Sequence, residues 1–438
     1  MNTGAQFRYC WTTRPGMSVP NGWNGISDAD FAHGGIKGPR IESMAEPGDQ
    51  MPAWAWDLLQ AARAAYVADK KSMRDTVADG WTREIHIHVP LRDPDRWDER
   101  ASVLLCGLLQ TLTADQWAVT FQHSSPGWGR QGRVVDHWTA EKVALFSGGL
   151  DSTAFAADLA VRPDGNALLV TFYDPAIKTR QDAVLAKIKD MGSGRVHQRI
   201  ASHMVIGGPL EPSSRSRGLL YIATAVYLAA AHGAPQVMLP ENGQLAVNLP
   251  LTPGRPAACS TRSAHPRTLD LLNQLIALLG GDVTVSNPLS GRTKGEVCDL
   301  ALDAGLSSQT LYTTVSCSHP PRTRNANLPF HCGYCYPCLV RRAGLLHALG
   351  GDETGYHHDP WHLPSRDPKT EDLLALLVWL SSPLTSTNLS ADIPLPARIT
   401  PGDLMPVQHR ARRELTAMLN SVLPENGPYR KGWRPHCL

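Results

Sequence analysis

The sequence lacks a large excess of either charge. Its 42 basic and 40 acidic residues leave a formal net charge of +2, so there is no bulk attraction for nucleic acid or an anionic membrane surface. It lacks a long hydrophobic run: the longest, LLYIATAVYLAAA from Leu219 to Ala231, is too short to span a bilayer. The opening residues, MNTGAQFRYCWTTRPG, show no basic-then-apolar pattern, so no secretory signal is expected. Cysteine is sparse, nine in 438 residues, which excludes a disulfide scaffold. The default expectation is a cytoplasmic protein with no membrane partner and no nucleic acid as direct ligand. What is present suits a globular chain of two to four domains: 42% of residues are hydrophobic and 19% charged.

Residues 1–50 are rich in Gly, Pro and polar residues and read as an irregular lead-in. A helix is predicted from about Pro52 to Met73, and REIHIHVPL alternates Ile85, Ile87 and Val89 with His86 and His88, as a half-polar strand does. RWDERASVLLCGLLQTL reads as a helix and WAVTFQ as a strand, completing a small α/β unit over residues 1–135. His86 and His88 are better explained as a polar strand face than as metal ligands. From KVALF onward, short apolar runs alternate with helical periods. This predicts a doubly wound parallel sheet over residues 140–350. Residues 351–438 read as a helical extension interrupted by proline.

The most informative stretch is FSGGLDST, Phe146 to Thr153. It follows a buried strand and opens a helix, where an open α/β sheet places its ligand crevice. Gly148 and Gly149 let backbone amides approach an anion, and the helix start adds free N–H donors. The loop has no lysine, so it is not a Walker loop, and it has no G-x-G-x-x-G. It resembles the motif of the PP-loop ATP pyrophosphatases, of adenine nucleotide alpha-hydrolase-like fold. That resemblance implies ATP held by Phe146, Ser147, Gly148, Gly149, Leu150, Asp151, Ser152 and Thr153, with attack on the α-phosphate and release of pyrophosphate. It also implies a Mg²⁺ that Asp151 helps to place.

Four of the nine cysteines crowd together: Cys317, then Cys332, Cys335 and Cys338. Four thiolates can close a tetrahedral Zn²⁺ site. The C-x₂-C-x₂-C step also opens iron–sulfur runs, but the expected fourth cysteine is Arg342, so zinc leads. His319 and His331 are substitute ligands in reserve. Arg341 and Arg342 are expected to begin the next helix and to be solvated or to face a phosphate.

Loop and cysteine cluster in this order resemble the 7-cyano-7-deazaguanine synthases (QueC) of queuosine biosynthesis. SSRSRGLLYIATAVYLAAAHGA, LPENG and SNPLSGRTKGEVCDLALDAG are similar to that family's arginine-led helix, acidic strand-end and lysine segment. On this resemblance Asp151, Ser152 and Lys294 are the candidate catalytic residues, and Arg217 and Glu241 the candidate substrate-binding ones. It covers about residues 140–350. FYDPAIKTRQ replaces the family's Tyr-Gly-Gln segment. The longer architecture resembles QueC-like proteins of anti-phage defence operons, the Qat system among them. There the resemblance implies a 7-deazaguanine carboxylate as small-molecule substrate and an operon partner protein as acceptor or complex member. Two alternatives remain open: a tRNA-modifying PP-loop enzyme, which the near-neutral charge disfavours, and a non-catalytic nucleotide-binding scaffold.

Overall fold

A computed structural model describes residues 6–13, 16–32, 52–124, 138–252, 262–320, 329–390, 394–431 and 433–436. The N-terminal unit runs β1 (Phe7–Trp11), β2 (Asn24–Ile26), α1 (Ala53–Lys71), β3 (Glu84–Leu91), α2 (Glu99–Thr113) and β4 (Gln116–His123). The central unit follows: β5 (Lys142–Leu145), α3 (Leu150–Val161), β6 (Ala167–Phe172), α4 (Lys178–Met191), β7 (Val196–Ala201), α5 (Arg217–His232), β8 (Gln236–Met238), α6 (Gly243–Val247), α7 (Pro266–Leu278), β9 (Thr284–Ser286), α8 (Lys294–Asp303), α9 (Ser308–Thr313) and α10 (Tyr336–Leu349). The chain then adds α11 (Glu371–Ser381) and α12 (Pro401–Val422).

Both sheets are parallel, with strand orders β2-β1-β3-β4 and β7-β6-β5-β8-β9. The second order starts at its middle strand, β5, runs outward one way through β6 and β7, then reverses through β8 and β9. The crevice at that reversal lies between the carboxyl ends of β5 and β8, where open sheets hold their ligands. Helices cover both faces of this sheet, as the sequence predicts. α5 and α7 pack with Val143, Leu145, Leu168 and Val170 on one face, and α3, α4 and α8 with Ala144, Leu169 and Met238 on the other.

The N-terminal sheet turns Ile85, Ile87 and Val89 onto α1 and α2, and these helices in turn pack on α5 and α7. One apolar core thus runs from Tyr9 to Val285. The extension after α10 has its own core, in which Trp361, Leu376, Trp379, Leu415, Met418 and Leu419 bury against Leu339 and Val340 of α10.

Two expectations need correction. The first fifty residues are not uniformly irregular: β1 and β2 form there and pair in register, Tyr9 with Asn24 and Trp11 with Ile26. They are short, and β2 buries only Ile26, so the two-residue period barely registers in the sequence. The last helix, which the pattern of HRARRELTAMLNSVL would start at His409, begins instead at Pro401. Thr400 and Asp403 close a capping box around it, and proline is well suited to a first helical position. No helix among the described residues is long and apolar enough to cross a membrane.

Candidate functional site

β5 ends at Leu145 and α3 begins at Leu150, so Phe146 to Gly149 make the whole connection. Two glycines are needed for different reasons. Gly148 has φ +78°, and a Cβ there would also stand 3.2 Å from Gln181. At Gly149 a Cβ would stand 2.9 Å from the Val315 carbonyl oxygen. The turn brings the Ser147 and Ser152 hydroxyls within 3.1 Å of each other. The Ser147 N–H donates to Ser152 Oγ (3.2 Å) and the Gly149 N–H to Ser147 Oγ (3.2 Å). From α4, Gln181 Nε2 donates to the Ser147 carbonyl (3.1 Å) and fixes the loop from outside. The Val315 N–H donates to the Gly148 carbonyl (3.0 Å) and ties the loop to the strand of chain entering Cys317.

Across the crevice, β8 leads into Glu241 and Asn242. Lys294 is the first residue of α8, and its Nζ lies 2.8 and 2.7 Å from the two carboxylate oxygens of Asp151. Asn242 Nδ2 donates to Asp151 Oδ2 (2.9 Å) and stands 3.5 Å from Glu241 Oε1. Burial pushes the Asp151 carboxyl upward, but the Lys294 ammonium and the hydrogen bonds outweigh it and hold the group below the usual carboxylate value. Glu241 has the opposite fate: burial, then the Asp151 charge, push it up to about 8. At neutral pH the pair therefore holds one proton, on the Glu241 side.

The other end of the crevice is aromatic. Tyr221 of α5 stacks on Phe172 at the end of β6, with ring centroids 3.7 Å apart and planes 13° from parallel. The Arg217 guanidinium lies 5.7 Å from the Tyr221 ring centre. His203 packs edge-on to both rings. Burial and then Arg217 depress it to about 4, so it is neutral at pH 7. α1 supports this end: the Asp69 carboxylate accepts from the Ser216 N–H (3.1 Å), one residue before Arg217.

The loop, Asp151, Glu241, Lys294, Arg217, His203, Phe172 and Tyr221 line one cavity of about 550 Å³, a usual size for a small-molecule site. Of the residues singled out in the sequence, Phe146, Ser147, Gly149, Leu150, Asp151, Ser152, Arg217, Glu241, Lys294 and Cys317 line it. Gly148 is turned against Gln181, and Thr153 is 1% exposed; neither is among the lining residues. Sequence reasoning missed Gln181, Asn242, His203 and the partnering of Tyr221 with Phe172. Asn242 carried a signal, an Asn just before a short apolar helix whose Leu245 N–H it caps. Gln181 carried none.

The four cysteine sulfurs lie within 4.8 Å of one another, Cys332 and Cys338 at 3.9 Å. A tetrahedral ZnS₄ centre with bonds of about 2.3 Å needs sulfurs about 3.8 Å apart, so the donor set fits one zinc ion. It is the one such cluster of His, Cys, Asp and Glu among the described residues. His331 instead stands 3.3 Å from the Ser316 N–H. The helix after the cluster starts at Tyr336, and the expectation for Arg341 and Arg342 fails. Both are buried and neither lines the cavity. Arg341 donates to Thr314 Oγ1 and the Leu311 carbonyl, while Arg342 pairs with Asp359 and covers Tyr356. Pro337 sits in the first turn of α10, where proline is tolerated, so the helix begins sooner than the arginine pair suggests.

Fold and site define a doubly wound parallel α/β protein with a Gly-Gly loop at its switch point and a four-cysteine cluster beside it. Among known proteins the chain is similar to a 7-cyano-7-deazaguanine synthase of Pyrococcus furiosus, 25% identical over 248 residues, which is 50% of this chain and 97% of that protein. No family model matches. A ketoreductase domain from the bacillaene assembly line aligns over 65% of this chain and 81% of its own at 9% identity, but its TM-score of 0.22 carries no argument.

Proposed function

We propose that this chain is an ATP-dependent, QueC-like ligase. It adenylates the carboxylate of a 7-deazaguanine, releases pyrophosphate, and passes the acyl group to an amine on a partner protein in an anti-phage setting. One observation carries the reading. A single cavity joins the lysine-less Gly-Gly loop and the Lys294–Asp151 pair at one end to Arg217 and a stacked aromatic pair at the other. The similarity to a synthase of a deazaguanine supports the same chemistry.

A carboxylate is a poor electrophile, and adenylation supplies its leaving group. A carboxylate oxygen attacks the α-phosphorus; the new O–P bond forms as the bond to the bridging oxygen breaks, and its electron pair leaves on pyrophosphate. The magnesium enters with the nucleotide as part of the substrate. In the free site the Ser147 and Gly149 amides and the Ser147 and Ser152 hydroxyls satisfy one another, and these donors exchange their partners for the β,γ-phosphates when the nucleotide binds. Lys294 neutralises Asp151 in the free site and turns to phosphate when the nucleotide arrives. Arg217 orients the deazaguanine carboxylate, and the Phe172–Tyr221 stack receives its planar ring. The amine nitrogen then attacks the acyl carbon, the C–O bond to AMP breaks, and the amine proton goes to solvent. The bound zinc would be held by Cys317, Cys332, Cys335 and Cys338 as a structural ion that fixes Val315 and Ser316 under the loop.

Half of the chain lies outside the stretch shared with the synthase, and that surplus favours a macromolecular acceptor. The similarity itself favours a second reading, with ammonia as acceptor and a nitrile as product. Pyrophosphate release from Mg·ATP and 7-carboxy-7-deazaguanine tests adenylation. Intact-mass spectrometry of the co-expressed operon partner then separates the two: an acyl mass gain supports the ligase, a free nitrile the synthase. Failure of every substrate to release pyrophosphate, with Asp151→Ala equal to wild type, would leave only a nucleotide-binding scaffold.

A further inference from the structure

The helix that presents Lys294 is held at its first turn by a residue from the far end of the chain. Thr293 caps α8: it accepts from the Glu296 N–H (3.2 Å), and Glu296 accepts from the Thr293 N–H (3.0 Å). That box leaves the Gly295 N–H and the Thr293 hydroxyl proton without acceptors inside the helix. Both go to Glu414 of α12: the Gly295 N–H donates to Oε2 at 3.0 Å, and the Thr293 hydroxyl donates to Oε1. Glu414 is 8% exposed. It thus brackets Lys294 on both sides in sequence, and its negative charge suits a helix N-terminus.

The fit around this contact leaves the stem of Lys294 little freedom. A Cβ on Gly295 would stand 2.7 Å from Glu414 Oε1 and 2.5 Å from the His347 ring. A Cβ on Gly344 of α10 would stand 2.4 Å from Lys294 Cγ, so the lysine stem runs in a slot cut by that glycine. The same face of α12 reaches the other wall of the crevice, where Gln408 Nε2 donates to the Gly243 carbonyl (3.1 Å), two residues after Glu241. α12 itself docks by an apolar stripe, Leu404, Val407, Ala411, Leu415 and Met418, beside which Gln408, Arg412 and Glu414 are buried polar exceptions.

We propose that Glu414 is a positioning residue: the C-terminal extension sets the direction of the Lys294 ammonium toward Asp151 and the phosphate end of the cavity. The proposal rests on the reading of Lys294 as a site residue, but its test requires no turnover. The full chain is treated with acetic anhydride, and acetylation of Lys294 is quantified by peptide mass spectrometry. In the wild type Lys294 is 3% exposed on its side chain and paired, so it reacts slowly. Glu414→Ala is expected to speed its acetylation by about tenfold or more, the response to losing a hydrogen bond to a charged group. Glu414→Gln, which keeps one acceptor oxygen, should fall between. Met418→Ala loosens α12 through its core without touching Thr293 or Gly295 and should leave Lys294 labelling at the wild-type rate. Where pyrophosphate release is measurable, Glu414→Gln should lower kcat in the wild-type background and have no further effect beside Lys294→Met. Lys294 labelling within twofold of wild type in both Glu414 variants would overturn the proposal. So would equal acceleration by Met418→Ala at a matched melting temperature. A chain that labels as expected yet releases no pyrophosphate would overturn the ligase reading and leave this one standing.

Discussion

The two ends of the cavity are built on different principles. The loop end, where we propose that the phosphates bind, is a set of charges and amides locked by one another: Lys294 on Asp151, Asn242 between Asp151 and Glu241, and the loop held by Gln181 and Val315. The aromatic end is a stack of apolar surfaces, Phe172, Tyr221 and a neutral His203, with one guanidinium beside it. The first suits a ligand whose charge changes during reaction, because oriented dipoles stabilise developing charge without moving. The second suits a ligand that must be held flat and still. A buried carboxylate supports each end from outside the central unit, Glu414 at the phosphate end and Asp69 at the aromatic end.

The comparison breaks most visibly at Asp151. Asp151→Asn removes the charge that pairs with Lys294 and disturbs the loop, and pyrophosphate release should fall by about 10²- to 10³-fold in kcat, as for the loss of an oriented electrostatic group. Deazaguanine affinity, measured by titration, should stay near the wild-type value. If affinity falls while release survives, the ends are assigned the wrong way round. Arg217→Met is the complementary variant. It should raise KM for the deazaguanine carboxylate by about 10- to 100-fold, the worth of a charged hydrogen bond, and leave KM for ATP unchanged.

How much of this was legible follows from how far apart the contacting residues lie. The loop is contiguous, so its two glycines, two serines and aspartate could be singled out directly, and the structure places Ser147, Gly149, Asp151 and Ser152 on the cavity wall. The cysteine spacing was equally direct. Arg217, Glu241 and Lys294 are ordinary residues one at a time, and only the resemblance drew attention to them; the structure brings all three to one cavity. Gln181 and Glu414 could not be read, since each acts on a segment brought near only by the fold, Glu414 on Gly295 across 119 positions, and the capping signal of Asn242 did not reveal its contact with Asp151. The alternating His86 and His88 gave the right strand but hid that Trp23 packs edge-on to both imidazoles. The first two strands escaped because three to five residues carry too little period.

Protonation gives the two ends opposite signs. Glu241 is raised from its ordinary 4.5 to about 8. Between those values the folded chain keeps a proton that the unfolded chain has lost, so this group's contribution to stability falls as pH rises, by up to about 1.4 kcal/mol per pH unit. His203 is lowered from 6.5 to about 4. In that window the unfolded chain binds the extra proton, so its contribution grows as pH rises and is lost on acidification. Denaturant unfolding across pH 4.5 to 8 should therefore show a flatter alkaline decline in Glu241→Gln than in wild type. It should also show a weaker acid loss in His203→Gln. Equal slopes for wild type and Glu241→Gln would mean that the buried carboxylate pair does not share a proton.

The smallest expected effect lies in the aromatic end and separates stacking from hydrogen bonding. Tyr221 contributes its ring to Phe172 at 3.7 Å and carries a buried hydroxyl whose ionisation is pushed upward by desolvation. If the ring is what receives the base, Tyr221→Phe keeps the stack and should change KM for the deazaguanine by less than about twofold, while Tyr221→Ala should raise it by about three- to tenfold, the worth of an aromatic pair. A loss in Tyr221→Phe as large as in Tyr221→Ala would give the hydroxyl the recognition role. The aromatic end would then resemble the phosphate end, with polar groups aimed at a ligand, and the contrast between them would disappear.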